Sequence, residues 1–142
     1  MDHAGVQEPA TARTHQWLLW AGRVISVLPV LVILTSARWK LTEAPTYVAE
    51  FARIGWPPDA LPRLALLQLS FMLVYVIPRT SVLGAILLTG YLGGAIASYV
   101  RIGDYYPVLV PLSTSVIAWA GIFLRDERLR ALLPLRRGIP RS

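Results

Sequence analysis

Four stretches of the chain carry no charged residue: Val24 to Ala37, Leu64 to Pro78, Thr80 to Val100 and Tyr105 to Leu124. The last two reach the roughly 20 residues that a helix needs to cross a bilayer core. The first does so if it begins near Trp17, since Arg23 can carry its guanidinium outwards on a long stem. Arg63 and Arg79 complete the second in the same way. The pattern predicts an all-α integral membrane protein, an antiparallel four-helix transmembrane bundle with helices at about 17–39, 61–78, 80–101 and 106–125. Residues 1–16 read as a disordered polar tail, residues 17–124 as the membrane domain and residues 125–142 as a basic cytoplasmic tail.

The segment between the first two apolar runs has a period of its own. In "EAPTYVAEFARIGWPPDALPR" Tyr47, Phe51 and Ile54 recur at i, i+4 and i+7, with Pro45 suited to a first turn and Gly55 to a C-terminal cap. A short interfacial helix at about 45–54 is expected, with Trp56 as an anchor, and it reads as a cap over the extracytoplasmic end rather than a substrate lid. The link "IPRTS" allows only a tight turn, so the second and third helices are antiparallel neighbours.

Small and polar residues fall on particular faces. Gly22, Pro29, Ser36 and Lys40 share one side of the first helix, and Pro29 frees the carbonyl of Ile25, which turns that side into the bundle. Gln68, Met72 and Tyr75 cluster on the second helix, and Pro107, Pro111, Thr114, Ala118 and Gly121 on the fourth. On the third, Gly90, Gly93, Gly94, Ala97 and Arg101 form one stripe. Gly90-x-x-x-Gly94-x-x-x-Ser98 is the small-xxx-small pattern of close helix packing in lipid. Pro29, Pro111 and this stripe are the expected packing positions. Tyr99 is expected to face lipid, and Tyr91 and Ser98 to flank the stripe.

Two readings of the polar residues stand side by side. In one, Ser98 bonds back to its own helix and Arg101 pairs with Asp104 at the surface. In the other, Lys40, Gln68, Tyr75, Tyr91, Ser98 and Arg101 border a pocket, because polar groups inside a bundle often mark a ligand path. No carboxylate lies within the four apolar runs, which argues against a proton relay.

Composition sharpens this picture. The chain is 55% hydrophobic and 15% charged, against about a quarter charged in soluble domains, and its mean hydropathy is +0.53. The chain contains no cysteine, which removes thiol chemistry and thiolate metal sites. Its two histidines, His3 and His15, sit in the N-terminal segment without a partner at ligand spacing, so no metal site is expected. The first helix lacks a Lys/Arg-rich preceding region and a convincing cleavage site, and is expected to be retained. With both termini on one side, the basic residues split about nine to five in favour of that side, which places both termini in the cytoplasm. The bilayer is the expected partner, and no nucleic-acid partner is expected.

The segments "FARIGWPP", "IPRTSVLGAILLTGYLGGAIASYVRIGD" and "LRDERLRALLPLR", in this order, closely resemble the DoxX-like family of small four-helix bacterial membrane proteins, over about Arg23 to Arg137. The resemblance implies the bacterial cytoplasmic membrane and, through the family's name, association with respiratory or redox subunits. Relatives often carry Gly-x-x-Glu before the core of the second helix and a threonine–histidine pair late in the third. This chain has Ala65 and Gln68, and Ser98-Tyr99, and keeps the lysine after the first helix as Lys40 in "RWKL". The functional expectation is therefore an accessory subunit or lipophilic-ligand-binding protein, with a quinone as one candidate ligand, beside redox partners or as a homo-oligomer. An integral-membrane enzyme acting on a hydrophobic small molecule is the alternative, and a transporter the weaker one. No bound cofactor is expected.

Overall fold

The computed structural model describes residues 10–126 and residue 129, and within these the regular secondary structure is all helical. Five helices follow in order: α1 (Ala10–Leu41), α2 (Pro45–Arg53), α3 (Ala60–Val76), α4 (Ser81–Arg101) and α5 (Leu109–Arg125). The main departures from expectation are at the ends. α1 begins at Ala10, so the expected disordered tail is helical from there on, and its first nine residues lie outside the described region. α5 begins at Leu109, three residues after the expected start, leaving Pro107 in the preceding turn. Of the expected basic tail only Arg125, Asp126 and Leu129 are described.

Three helices end in the same way, with a left-handed residue that lets the chain reverse. Gly55 (φ 84°) ends α2, its N–H donating to Ala52 O at 3.0 Å while Trp56 N–H donates to Phe51 O at 2.8 Å. Gly103 (φ 74°) ends α4 with the equivalent pair, to Val100 O and Tyr99 O. This is the Schellman arrangement, which satisfies the last carbonyls of a helix. Glu43 (φ 47°) does the same for α1 without glycine's freedom.

The helices form a ring of contacts: α1 packs on α5 and α3, α3 on α4, and α4 on α5, while α2 touches α1. α1 turns Gly22, Ser26, Pro29, Ile33, Ala37 and Lys40 inwards, in steps of three or four residues. Ile33, Tyr75, Ala85, Leu88, Ala118 and Ile122 make the core. Pro111 is buried in the first turn of α5, where its missing N–H costs no helical bond. Outside, large apolar side chains stand exposed: Val24 is 64% exposed, Leu73 62% and Val116 60%. Leu19–Leu41 and Ser81–Arg101 are each long and apolar enough to cross a membrane.

Close approach uses other glycines than expected. A Cβ on Gly84 would overlap the backbone nitrogen of Tyr75, and one on Gly121 would overlap Ser26 Oγ. One on Gly22 would come within 3.0 Å of Gly121 O. A Cβ on Gly90, Gly93 or Gly94 would meet nothing within 4 Å, and Ala97 is exposed. The α4 stripe is therefore not a packing stripe within this chain. A helical wheel cannot separate the two cases, because missing side chains serve an empty space as well as a neighbouring backbone.

These contacts lead to two stability predictions, read from thermal unfolding in detergent. Gly84→Ala destabilises by about 1–3 kcal/mol through overpacking, while Gly93→Ala is neutral or slightly stabilising. Equal effects at the two sites would contradict the packing described. Glu43→Gly relieves the left-handed strain and stabilises by up to about 1 kcal/mol, and a lowered midpoint would count against it.

Candidate functional site

Where α1, α3, α4 and the start of α5 face one another beneath α2, the packing opens into a partly enclosed cavity of about 780 Å³. Its walls are mostly apolar, with Leu31, Leu64, Leu92 and Val110 among them, and the open sides of Gly90 and Gly94 form part of one wall. Such a volume, apolar with a few converging polar groups, suits a small-molecule site.

The polar groups converge on Lys40. It is the one lysine of the sequence, all thirteen other basic side chains being arginine, and it is only 6% exposed. Helical side chains lean towards the N-terminus of their helix, so Lys40, near the end of α1, reaches back into the bundle. Its ammonium donates to Gln68 Oε1 at 2.6 Å and to the Tyr91 hydroxyl at 2.7 Å. Tyr91 donates in turn to Gln68 Oε1 at 2.8 Å, and Gln68 Nε2 donates to Ile33 O at 2.8 Å. The amide thus ties mid-α3 to mid-α1. The ammonium also lies 5.3 Å from the Tyr91 ring centre and 5.8 Å from that of Phe51, within range of attraction to the ring faces. Among the described residues no carboxylate pairs with Lys40.

α2 supplies Tyr47, Glu50 and Phe51 to the cavity lining, and Ile54 just past its end adds to it. Several contacts hold it in place. Tyr47 stacks on Trp39 of α1 with ring centres 6.5 Å apart, and Arg53 bonds both Glu50 (2.6 Å) and Asp104 beyond α4 (2.8 Å). Arg101 donates to Ile54 O, and Trp56 Nε1 donates to Ser98 Oγ at 3.3 Å. The Arg53 hydrogen bonds hold the Glu50 carboxyl below its ordinary range. Its partial burial works the other way, and the Tyr99 hydroxyl adds to the lowering.

Of the sequence candidates, Lys40, Gln68, Tyr91 and Ser98 line this cavity. Ser98 also bonds back to Gly94 O at 2.9 Å. Tyr75 does not line it: it is 1% exposed in the core, its hydroxyl on Ala118 O at 3.2 Å. Arg101 lines an adjoining hollow that shares Trp56 and Ser98 with the cavity, and the expected Arg101–Asp104 pair is replaced by Arg53–Asp104. Tyr99, expected to face lipid, is half-buried and lines the cavity, because α2 folds over that side of α4. Glu50 is the other lining residue that the α4 wheel could not find. Its signal is the amphipathic run of α2, which the sequence alone reads as a cap over the extracytoplasmic end.

A folded-state carboxyl held below its ordinary value stabilises above the unfolded value and loses that contribution as pH falls through the folded one. Protection of α2 amides from hydrogen exchange is therefore expected to weaken below the ordinary Glu value of 4.5. In Glu50→Gln this pH dependence is expected to flatten, and an unchanged profile would exclude the Arg53–Glu50–Asp104 strap as its source.

Comparison with known proteins gives one positive result. No curated protein matches the chain, and no solved structure does. The sequence pattern of the DoxX-like family matches residues 24–121, a stretch that includes Lys40, all of α2 and α3, and the whole of α4. The chain belongs to the DoxX-like family.

Proposed function

We propose that this is an integral membrane protein that binds a lipophilic small molecule in the cavity beneath α2, with the molecule's polar end at Lys40. The observation that carries the reading is an apolar cavity whose inner polar group is a buried ammonium that pairs with no carboxylate among the described residues. In this reading α1, α3, α4 and α5 all cross the bilayer. α3 and α5 have 17 residues each, about 25 Å of helix at 1.5 Å per residue, and flanking arginines make up the remaining depth. The exposed valines and leucines then face acyl chains, which removes the cost that water would impose on so much apolar surface. An even number of crossings puts both termini on one side, and the distribution of basic residues makes that side cytoplasmic.

The convergence of amine, phenol and amide also favours a second reading, an enzyme that polarises a carbonyl or hydroxyl of a hydrophobic substrate. The two differ in whether the bound molecule leaves unchanged.

The test fills the cavity without disturbing the fold. Gly90→Leu and Gly94→Leu add side chains where a Cβ meets nothing. Protein in phosphatidylcholine nanodiscs is titrated with a short-tailed quinone, a long-chain fatty acid and its methyl ester, and occupancy is followed by tryptophan fluorescence. At least one probe is expected to bind saturably to the parent protein and at least about tenfold more weakly to the double variant. Binding by no probe, or equal binding by both proteins, would overturn the reading. A probe recovered chemically altered would favour the enzyme.

A further inference from the structure

The hydrogen-bond inventory of the Lys40 cluster narrows the ligand's chemistry. An ammonium has three N–H donors, a primary amide two donors and an acceptor oxygen with two lone pairs, and a phenol one donor. Gln68 Oε1 uses both lone pairs, on Lys40 and Tyr91. The single Tyr91 donor is spent on that same oxygen. Lys40 uses two of its three donors, and among the described residues the third has no partner while the side chain borders the cavity. Gln68 Nε2 uses one of its two donors, on Ile33 O. The donors left to meet a ligand are therefore the second Gln68 N–H and the charged third N–H of Lys40, so the matching ligand atom is an acceptor.

Charge decides among acceptors. Both partners of the ammonium are neutral, and its remaining surroundings include the Phe51 and Tyr91 rings. The other charged side chain lining the cavity, Glu50, is engaged by Arg53, which also holds Asp104. A buried cation without a counter-charge is strongly disfavoured unless something supplies one. A neutral carbonyl, such as a quinone's, would satisfy the third N–H and leave the charge uncompensated. A carboxylate does both.

We infer that the cavity takes a single-tailed carboxylate amphiphile, a free fatty acid or a molecule of that form, with its head on the third N–H of Lys40 and its tail along the apolar wall. The inference rests on the binding reading above and adds to it the class of ligand. Tyr91 and Gln68 act as positioning residues, holding the ammonium away from the bilayer surface that a lysine near a helix end would otherwise reach.

The experiment compares three probes in phosphatidylcholine nanodiscs: palmitate, methyl palmitate and a short-tailed quinone, against the parent protein and Lys40→Met. Methionine keeps the length and apolar stem of lysine and leaves the Tyr91–Gln68 bond in place. The acid-against-ester comparison in the parent protein needs no variant at all. The parent is expected to bind palmitate at least about tenfold more tightly than the ester, and Lys40→Met to bring palmitate down to the ester's level. Equal binding of acid and ester, tighter binding of the quinone than of the acid, or an acid preference that survives Lys40→Met would overturn the ligand class and leave the cavity reading standing. If none of the three binds, both fall.

Discussion

A single buried ammonium that pairs with no carboxylate among the described residues is the constraint around which this protein is arranged. Lys40 comes from α1, Gln68 from the middle of α3 and Tyr91 from the middle of α4, and their atoms meet within 2.6–2.8 Å. That spacing admits one register of the three helices. Gln68 tightens it further, because its nitrogen is bonded to Ile33 O while its oxygen takes both other donors. In a low-dielectric interior such a cluster is strong when every member is satisfied and costly when one is not. The same cluster thus staples three helices and leaves one charged donor facing the cavity.

The cavity exists because packing is tight elsewhere. Gly22, Gly121 and Gly84 let α1 approach α5 and α4 approach α3 until backbones nearly touch. Tyr75 fills the core below, bonded across to Ala118 O, and Trp119 of α5 donates to Thr89 of α4 at 2.9 Å. With those contacts fixed, Gly90 and Gly94 face the cavity. α2 covers that space, and the Arg53 strap and the Tyr47–Trp39 stack hold it down. Arrangement of apolar wall, buried cation and tied-down cover follows from where small residues permit contact and where they do not.

Much of this was legible in the sequence, for definite reasons. Helix periodicity found the inward face of α1, the Gln68–Tyr75 face of α3 and the Pro111–Gly121 face of α5, since burial follows the helical repeat. The short α2 and its Gly55 cap were readable from Pro45, the spacing of Tyr47, Phe51 and Ile54, and the glycine itself. Lys40, Gln68, Tyr91 and Ser98 were readable as polar residues at positions where lipid would reject them. Three features were not, and they share a cause. The empty side of the α4 glycines, the inward placement of Tyr99 and the contribution of Glu50 all depend on where α2 lies over α4. A wheel drawn for one helix carries no information about a cover supplied by another. Arg53 taking Asp104 from Arg101 has the same origin, because the competing cation comes from α2.

Because Lys40 is the one lysine in the chain, a single labelled residue type reports on the centre of the account. Protein grown with lysine carrying nitrogen-15 at the side-chain amine, together with carbon-13 glutamine and tyrosine, gives one side-chain ammonium resonance in solid-state NMR of bilayer samples. The account predicts a rigid resonance, slow to exchange with water, with through-space contacts to the Gln68 side-chain carbonyl and the Tyr91 ring. A mobile, water-exchanging resonance with neither contact would place the ammonium at the membrane surface and contradict it.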